Sequence, residues 1–173
     1  TMLMAAVAFT AGCGGEKKSD KKVLKVGMEC AYAPYNWSQT KADGGAVKIA
    51  GSNEYAYGYD VMMAKKLADS MGADLEIHKI EWDGLAPAVV SGKIDAAIAG
   101  MSITSKRKET VDFTKPYYYA TVVALVKKDS EQAKAQSVAD LKGSVATSQL
   151  NTIWYDQIDQ VPDVKKLPAI DTV

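Results

Sequence analysis

This 173-residue chain is poor in the residues that metal and redox chemistry draw on, with two cysteines and a single histidine. Two thiols build no disulfide framework, and no metal site is implied. A dominant sign of charge is also missing, because 21 basic and 21 acidic residues cancel. That balance excludes the basic stripe of a nucleic-acid binder and the acidic tail that seeks a basic partner. No apolar run reaches the ~20 residues that a membrane-spanning helix requires. Proline and glycine number 5 and 13, an ordinary supply, so their positions carry the information. What is present, 47% hydrophobic and 24% charged residues, is the make-up of a globular protein. The length suits one domain, or one domain and part of another.

Residues 2–11 are uncharged and mostly apolar, and at about 10 residues they resemble the end of a signal-peptide hydrophobic region rather than a membrane span, the other reading being a buried apolar strand with an incidental cysteine. The following TAGCGG (10–15) has the small residues of a bacterial lipobox before Cys13, the expected lipidation site. Thr10 stands where leucine is usual. GGEKKSDKK (14–22) then reads as a solvated tether. With Cys13 lipidated, Cys30 is left as a lone thiol, expected to pack as a small residue.

Further along, residues 23–27 alternate as a strand that ends at Gly27. MECAYAPYNW (28–37) is loop-like, since Pro34 keeps its predecessor out of a helix. Residues 38–57 read as a hairpin or ordered excursion. GYD (58–60) opens a helix with Asp60 as its N-cap, and Val61, Ala64, Leu67, Ala68 and Met71 recur at helical spacing until Gly72. ADLEIHKI (73–80) alternates as a strand, in which His78 is assigned no role. WDGLAPAVVSG (82–92) is a short helix with Pro87 near its start. The nearly continuous apolar run 94–99 is a strand buried on both faces. This order predicts an α/β domain with a largely parallel sheet, whose ligands lie beyond the carboxyl ends of the strands.

The most informative stretch is AGMSITSKR (99–107), closing on VDFTKPYY (111–118). A strand end turns at Gly100, offers Ser102 and Thr104 as hydroxyls at a helix start, and sets Arg107 in that helix. Strand end, hydroxyls, amides and a guanidinium make a receptor for a carboxylate. Alone, an arginine in SKRK is a solvated surface residue; the strand–turn–helix context reverses that reading. Trp82 before a helix is a wall of the site or a core residue. Tyr117, Tyr118 and Tyr119 are a wall or simple alternation in a hinge strand. Glu109 and Asp112 have no partner group that would make them a catalytic pair.

After Pro116, YYYATVVALV (117–126) is a β-prone run expected to cross from one lobe to another. VADLKG (138–143) reads as a short helix and turn, residues 145–148 as a strand, and 150–158 as the start of a helix. A second lobe is begun.

These residues resemble the polar amino-acid-binding lipoproteins and periplasmic proteins that feed ABC importers, solute-binding protein family 3. The match is carried by VGMECAYAPYNW (26–37), GYDVMMAKKLA (58–68), residues 82–118 and DLKGSVATSQLNTIWYD (140–156), and it extends from Val23 onward. The resemblance implies an α/β, two-lobed periplasmic-binding-protein-like (type II) fold, with lobe one nearly complete and lobe two partial. Lobe one would be 23–118, a hinge or crossover strand 119–127, and partial lobe two 128–173, following the signal-peptide remnant and lipobox (1–13) and the tether.

It also implies roles at the site. Arg107 would clamp the ligand α-carboxylate through both guanidinium nitrogens, helped by the Ser102 amide. The Gly100 carbonyl and Ser102 hydroxyl would accept from the α-ammonium group, with Met101 in the same ligand-facing turn. Tyr32 and Trp82 would wall the aliphatic stem. From lobe two, Asn151 and Thr152 would cap the same carboxylate on closure, or would simply cap their own helix. Glu29, where relatives often carry aspartate, would face the side chain and favour ligands ending in N–H groups, such as glutamine, lysine, arginine or histidine; the other reading is a rim charge. The second-lobe aspartate that binds the α-ammonium in relatives lies beyond Val173, so the chain reads as a fragment. The expected function is a monomeric receptor for a free polar or basic amino acid, without cofactor or catalysis. It would partner an ABC permease and be lipid-anchored through Cys13 on the extracytoplasmic face. The alternative is the same bilobed domain used as a sensor or fused to a lytic module.

Overall fold

The computed structural model describes residues 21–171; Cys13, the lipobox and most of the tether lie outside that range. The elements in chain order are β1 (Val23–Met28), β2 (Ala31–Tyr32), β3 (Asn36–Gln39), β4 (Val47–Lys48), β5 (Tyr55–Tyr57), α1 (Tyr59–Met71), β6 (Asp74–Lys79), α2 (Leu85–Val90), β7 (Ala96–Ala97), α3 (Ser105–Lys108), β8 (Val145–Ala146), α4 (Ile153–Gln157) and β9 (Lys165–Lys166).

The first lobe is built on a three-stranded parallel sheet in the order β6-β1-β7. β1 sits centrally because Leu24, Val26 and Met28 point inward in alternation and are all buried. Its full length pairs with β6, from Val23 against Asp74 to Met28 against Lys79. The core closes around Val26, Met28, Ile77, Leu85 and Ile94. Cys30 joins it at 2% exposure; burial pushes its thiol up to about 12, so it packs as a small apolar residue.

Several elements differ from the sequence reading. Segment 28–37 is a loop only in part, because β2 and β3 pair and extend a four-stranded antiparallel sheet, β2-β3-β5-β4. The Trp37 ring meets Tyr57 edge-on at 5.0 Å across it. Asp60 does not cap α1; Gly58 does, at φ 127, and Asp60 is drawn inward to other partners. A Cβ at residue 58 would stand 2.3 Å from the Tyr35 carbonyl oxygen, which is why the position takes glycine. The helix otherwise buries Val61, Ala64 and Ala68 and stops at Gly72 in the left-handed conformation.

The run 94–99 is buried as expected at Ile94, Ile98 and Ala99, yet only Ala96–Ala97 forms a ladder with β1. Asp95 supplies the next rung with both its amide and its carboxylate, bonding the Lys25 carbonyl at 2.9 Å and the Lys25 amide at 2.8 Å. The helix carrying Arg107 is a four-residue turn, with Thr104 accepting from the Arg107 amide as N-cap. Residues 117–126 form no strand. No neighbouring strand offers a ladder among the described residues, and Val123 and Leu125 stand 81% and 100% exposed; β-propensity without a pairing partner does not make a sheet.

The second-lobe elements are a short parallel pair, β8 with β9, connected through α4. Thr152 caps α4 by accepting from the Tyr155 amide at 3.2 Å.

Candidate functional site

Three chain segments leave the carboxyl ends of the parallel strands and meet here. Glu29 follows β1, Trp82 follows β6, and the Gly100–Met101–Ser102 turn follows β7. Arg107 projects back from α3. Its Nη1 donates to the Ser102 carbonyl at 2.7 Å and its Nη2 to the Asn151 carbonyl at 2.9 Å. The guanidinium carbon lies 5.3 Å from the Trp82 ring centroid, a cation–π placement that leaves the fork edge free for acceptors. Burial lowers Arg107 from its ordinary value and Asp156 opposes that shift; the group remains a cation.

The opposite wall is the turn before α4, in the second lobe. Asn151 sits at φ 55, so its carbonyl and its side chain both face lobe one. The carbonyl receives Trp82 Nε1 at 3.3 Å as well as Arg107, and its side-chain Nδ2 donates to Asp83 at 2.8 Å. Two residues earlier, Gln149 Nε2 donates to Glu29 Oε1 at 2.9 Å. Both residues are buried, at 2% and 6% exposure. Burial raises the Glu29 carboxyl above its ordinary value, while the Gln149 bond pulls the other way. Thr152 is also buried, but its hydroxyl donates to the Gln149 carbonyl at 2.7 Å and caps α4. Its side chain serves its own lobe here, not a shared anion site.

Of the expected residues, Glu29, Trp82, Gly100, Ser102, Arg107, Asn151 and Thr152 line one cross-lobe seam. Tyr32 and Met101 stand on its flank. Tyr32 stacks on Tyr35 at 5.0 Å and tilts against Trp154 at 6.1 Å. Two cavities share this region. One of about 10 Å³ lies among Trp82, Ser102, Arg107 and Thr152, room for roughly one water. The other, about 750 Å³, is walled by Tyr32, Tyr35, Met101, Trp154 and the 113–125 segment. Gly100, Ser102, Ile153 and Trp154 belong to both. Each cavity holds a cation: Lys115 lines the larger and Arg107 only the smaller, which must widen by separating Asn151 from Arg107 to admit a carboxylate.

Other residues of the region carried no such role in the sequence. Asp60, fully buried, accepts from Asn36 Nδ2 and from the Tyr117 hydroxyl, each at 2.7 Å. Its carboxyl is raised by burial and held down by these bonds and by the Gly100 amide. The Tyr117 hydroxyl in turn accepts from the Gly100 amide at 3.1 Å. Gln149 and Trp154 were also unassigned. The one available signal was the position of Gln149 and Trp154 around a strand-to-helix turn that repeats the layout of residues 99–107.

Residues 24–166 match the profile of the bacterial extracellular solute-binding proteins, family 3. The chain belongs to that family. Among relatives of this family 3 chain, the arginine-binding extracellular protein ArtP of Bacillus subtilis (strain 168) is 32% identical over 160 residues, 90% of this chain and 56% of ArtP. An ancestral arginine-binding protein bound to glutamine superposes with a TM-score of 0.71 at 33% identity, covering 88% of this chain and 61% of that one. The ancestral amino acid-binding protein AncCDT-1, a precursor of cyclohexadienyl dehydratase, gives 0.70 at 32% identity, covering 87% and 61%. The chain therefore spans 56% of ArtP's length and 61% of each of the two structures. Its architecture is α/β and two-lobed, the type II periplasmic-binding-protein-like fold, with the first lobe nearly complete and the second partial.

Proposed function

We propose that the protein containing this chain is an extracytoplasmic receptor that binds a free polar or basic amino acid between its lobes and delivers it to an ABC importer. The observation that carries this reading is the half-buried Arg107 fork, set over Trp82 and bonded to one carbonyl from each lobe. A ligand α-carboxylate would replace those neutral acceptors with charged ones, and charge-assisted bonds are roughly twice as strong. The Ser102 hydroxyl and Gly100 carbonyl then meet the ammonium group, and Tyr32, Trp82 and Met101 enclose the stem.

Glu29 supports the choice of ligand class. It already accepts from a side-chain amide, that of Gln149, and a ligand ending in N–H groups offers the same donor or a cationic one. Arginine, glutamine and histidine are among the ligands named for relatives of this chain, beside octopine and cystine. The arrangement holds an anion and a donor at opposite ends and binds its ligand without transforming it. Lobe closure follows because the ligand touches both lobes and stabilises the closed population by its differential affinity. One clamp, a few hydrogen bonds and aromatic burial suffice for micromolar binding, about −8 kcal/mol.

Residues 23–118 form the ligand-receiving lobe, 119–127 the hinge and 128–173 the portion of the second lobe. The receptor is a monomer held at the outer face of the membrane by lipid on Cys13, consistent with TAGCGG (10–15) and with the extracellular character of the family. Calorimetric titration of the full-length protein with the twenty amino acids tests the reading, and the ligand should be recovered chemically unchanged. A folded protein that binds none of them, or that binds equally well as Arg107→Ala, would overturn it.

A further inference from the structure

We propose that Asp60 and Tyr117 form a buried positioning pair that fixes the Gly100 turn at the ligand site and ties it to the segment leaving lobe one. This rests on the receptor reading above, and neither residue touches ligand in it.

The hydrogen bonds run in one direction from both ends toward a single carboxylate. The Cys30 amide donates to Asn36 Oδ1 at 2.8 Å, which turns the Asn36 amide nitrogen toward Asp60 Oδ2 at 2.7 Å. From the other end, the Gly100 amide donates to the Tyr117 oxygen at 3.1 Å, so the hydroxyl hydrogen must go elsewhere. It goes to Asp60 Oδ1 at 2.7 Å. Both neighbours are therefore donors toward residue 60, and only a group that accepts through two oxygens satisfies them. Asp60 and Asn36 are each 0% exposed, where a donor facing a donor is left unpaired.

The ends of this chain of bonds are at the site. Cys30 adjoins Glu29. Gly100 stands at φ 61, and a Cβ there would meet Tyr32 Cε1 at 3.3 Å. Holding its amide fixes the Ala99–Gly100 peptide plane, from which the Gly100 carbonyl departs, and the height of the turn against Tyr32. Tyr117, meanwhile, begins the 117–126 run, whose residues beyond it form no ladder among the described residues. The Tyr117 hydroxyl is therefore the direct hydrogen-bonded link from that run to the ligand turn, beside the packing of Tyr118 on Tyr35 at 5.3 Å. Tyr59 reinforces it by donating to the Tyr117 carbonyl at 3.1 Å and stacking on its ring.

The test uses the full-length protein, wild type, Tyr117→Phe, Asp60→Asn and the double variant. Amide hydrogen exchange is read at Gly100, alongside titration with L-arginine and L-glutamine. In the wild type the Gly100 amide should exchange slowly although it lies in a turn. Tyr117→Phe, which removes one oxygen and no ring, should speed that exchange by roughly tenfold and weaken the bound amino acid by a similar factor, the worth of one lost hydrogen bond. Asp60→Asn should do the same, and the double variant should be no worse than the more damaging single. Fast Gly100 exchange in the wild type needs no variant to fold and overturns the pair. So does Gly100 exchange unchanged in Tyr117→Phe, or effects of the singles that multiply in the double. A wild type that shows the protection but binds neither amino acid would overturn the receptor reading and leave the pair standing.

Discussion

Nη2 of Arg107 stands 2.9 Å from the carbonyl oxygen of Asn151, 44 residues away and in the other lobe. The guanidinium is thus satisfied in part by the second lobe, and in the proposed receptor a ligand would compete with that contact. Arg107→Ala removes both arms of the fork and should weaken amino-acid binding by about 100-fold or more, two charge-assisted bonds' worth. Arg107→Lys keeps the charge without the planar fork and should fall between. Isothermal titration of the three proteins ranks them directly; equal affinities would remove Arg107 from the site.

Glu29 yields a pH prediction. Its folded-state pKa is raised from 4.5 by burial, so the folded protein holds a proton that the unfolded chain releases. Stability is fully present below the unfolded value and declines as pH rises through the raised one. Glu29→Gln keeps an acceptor for Gln149 and carries no charge. It should be more stable than wild type at neutral pH, with the difference vanishing as pH falls through the ordinary glutamate range. Asp60 shifts in the same direction but is common to both proteins and cancels. Urea midpoints across that pH range decide it, and a difference independent of pH would refute the assignment.

Gly58→Ala should be among the most damaging single-methyl changes in the chain. The new Cβ meets the Tyr35 carbonyl at 2.3 Å, and φ of +127 is strained for any L side chain. Strain of this kind is worth about 1–3 kcal/mol before the clash is counted. A urea midpoint unmoved by the substitution would show that the β5–α1 junction relaxes freely.

Thr152→Ala deletes the cap of α4 and the bond to the Gln149 carbonyl together. Loss of about 1–2 kcal/mol is expected, with Thr152→Ser restoring most of it. The local readout is exchange of the Tyr155 amide, which should accelerate in the alanine variant alone.

The parallel sheet was legible because its signals are local. Alternation in residues 23–27, the nearly continuous apolar character of 94–99 and the stop at Gly72 each depend on neighbours a few positions away. The proximity of Arg107 to the Gly100 turn was legible for the same reason, as a strand, a turn and a helical turn in succession. Contacts across large separations were not. Glu29 meets Gln149 across 120 residues, and nothing near either residue announces the other. Asp60 misled because an aspartate at a helix start has the same local pattern whether it caps the helix or turns inward to Tyr117. The 117–126 run misled differently: its composition favours a strand, but pairing depends on an edge being available, and composition does not report that.

The turn 149–151 holds Glu29 through an N–H donor at one end and Arg107 through an oxygen acceptor at the other. On the receptor reading, the chain thereby carries an internal surrogate for a bipolar ligand. Acetate could displace only the Asn151 end, and a simple amine only the Gln149 end, so each would leave the other half of the seam latched. A molecule bearing both poles at a matching separation releases the two ends at once. For the proposed receptor, discrimination against small ions would then be a property of the exchange itself, set by how much better a solute fills both ends than the protein's own turn does.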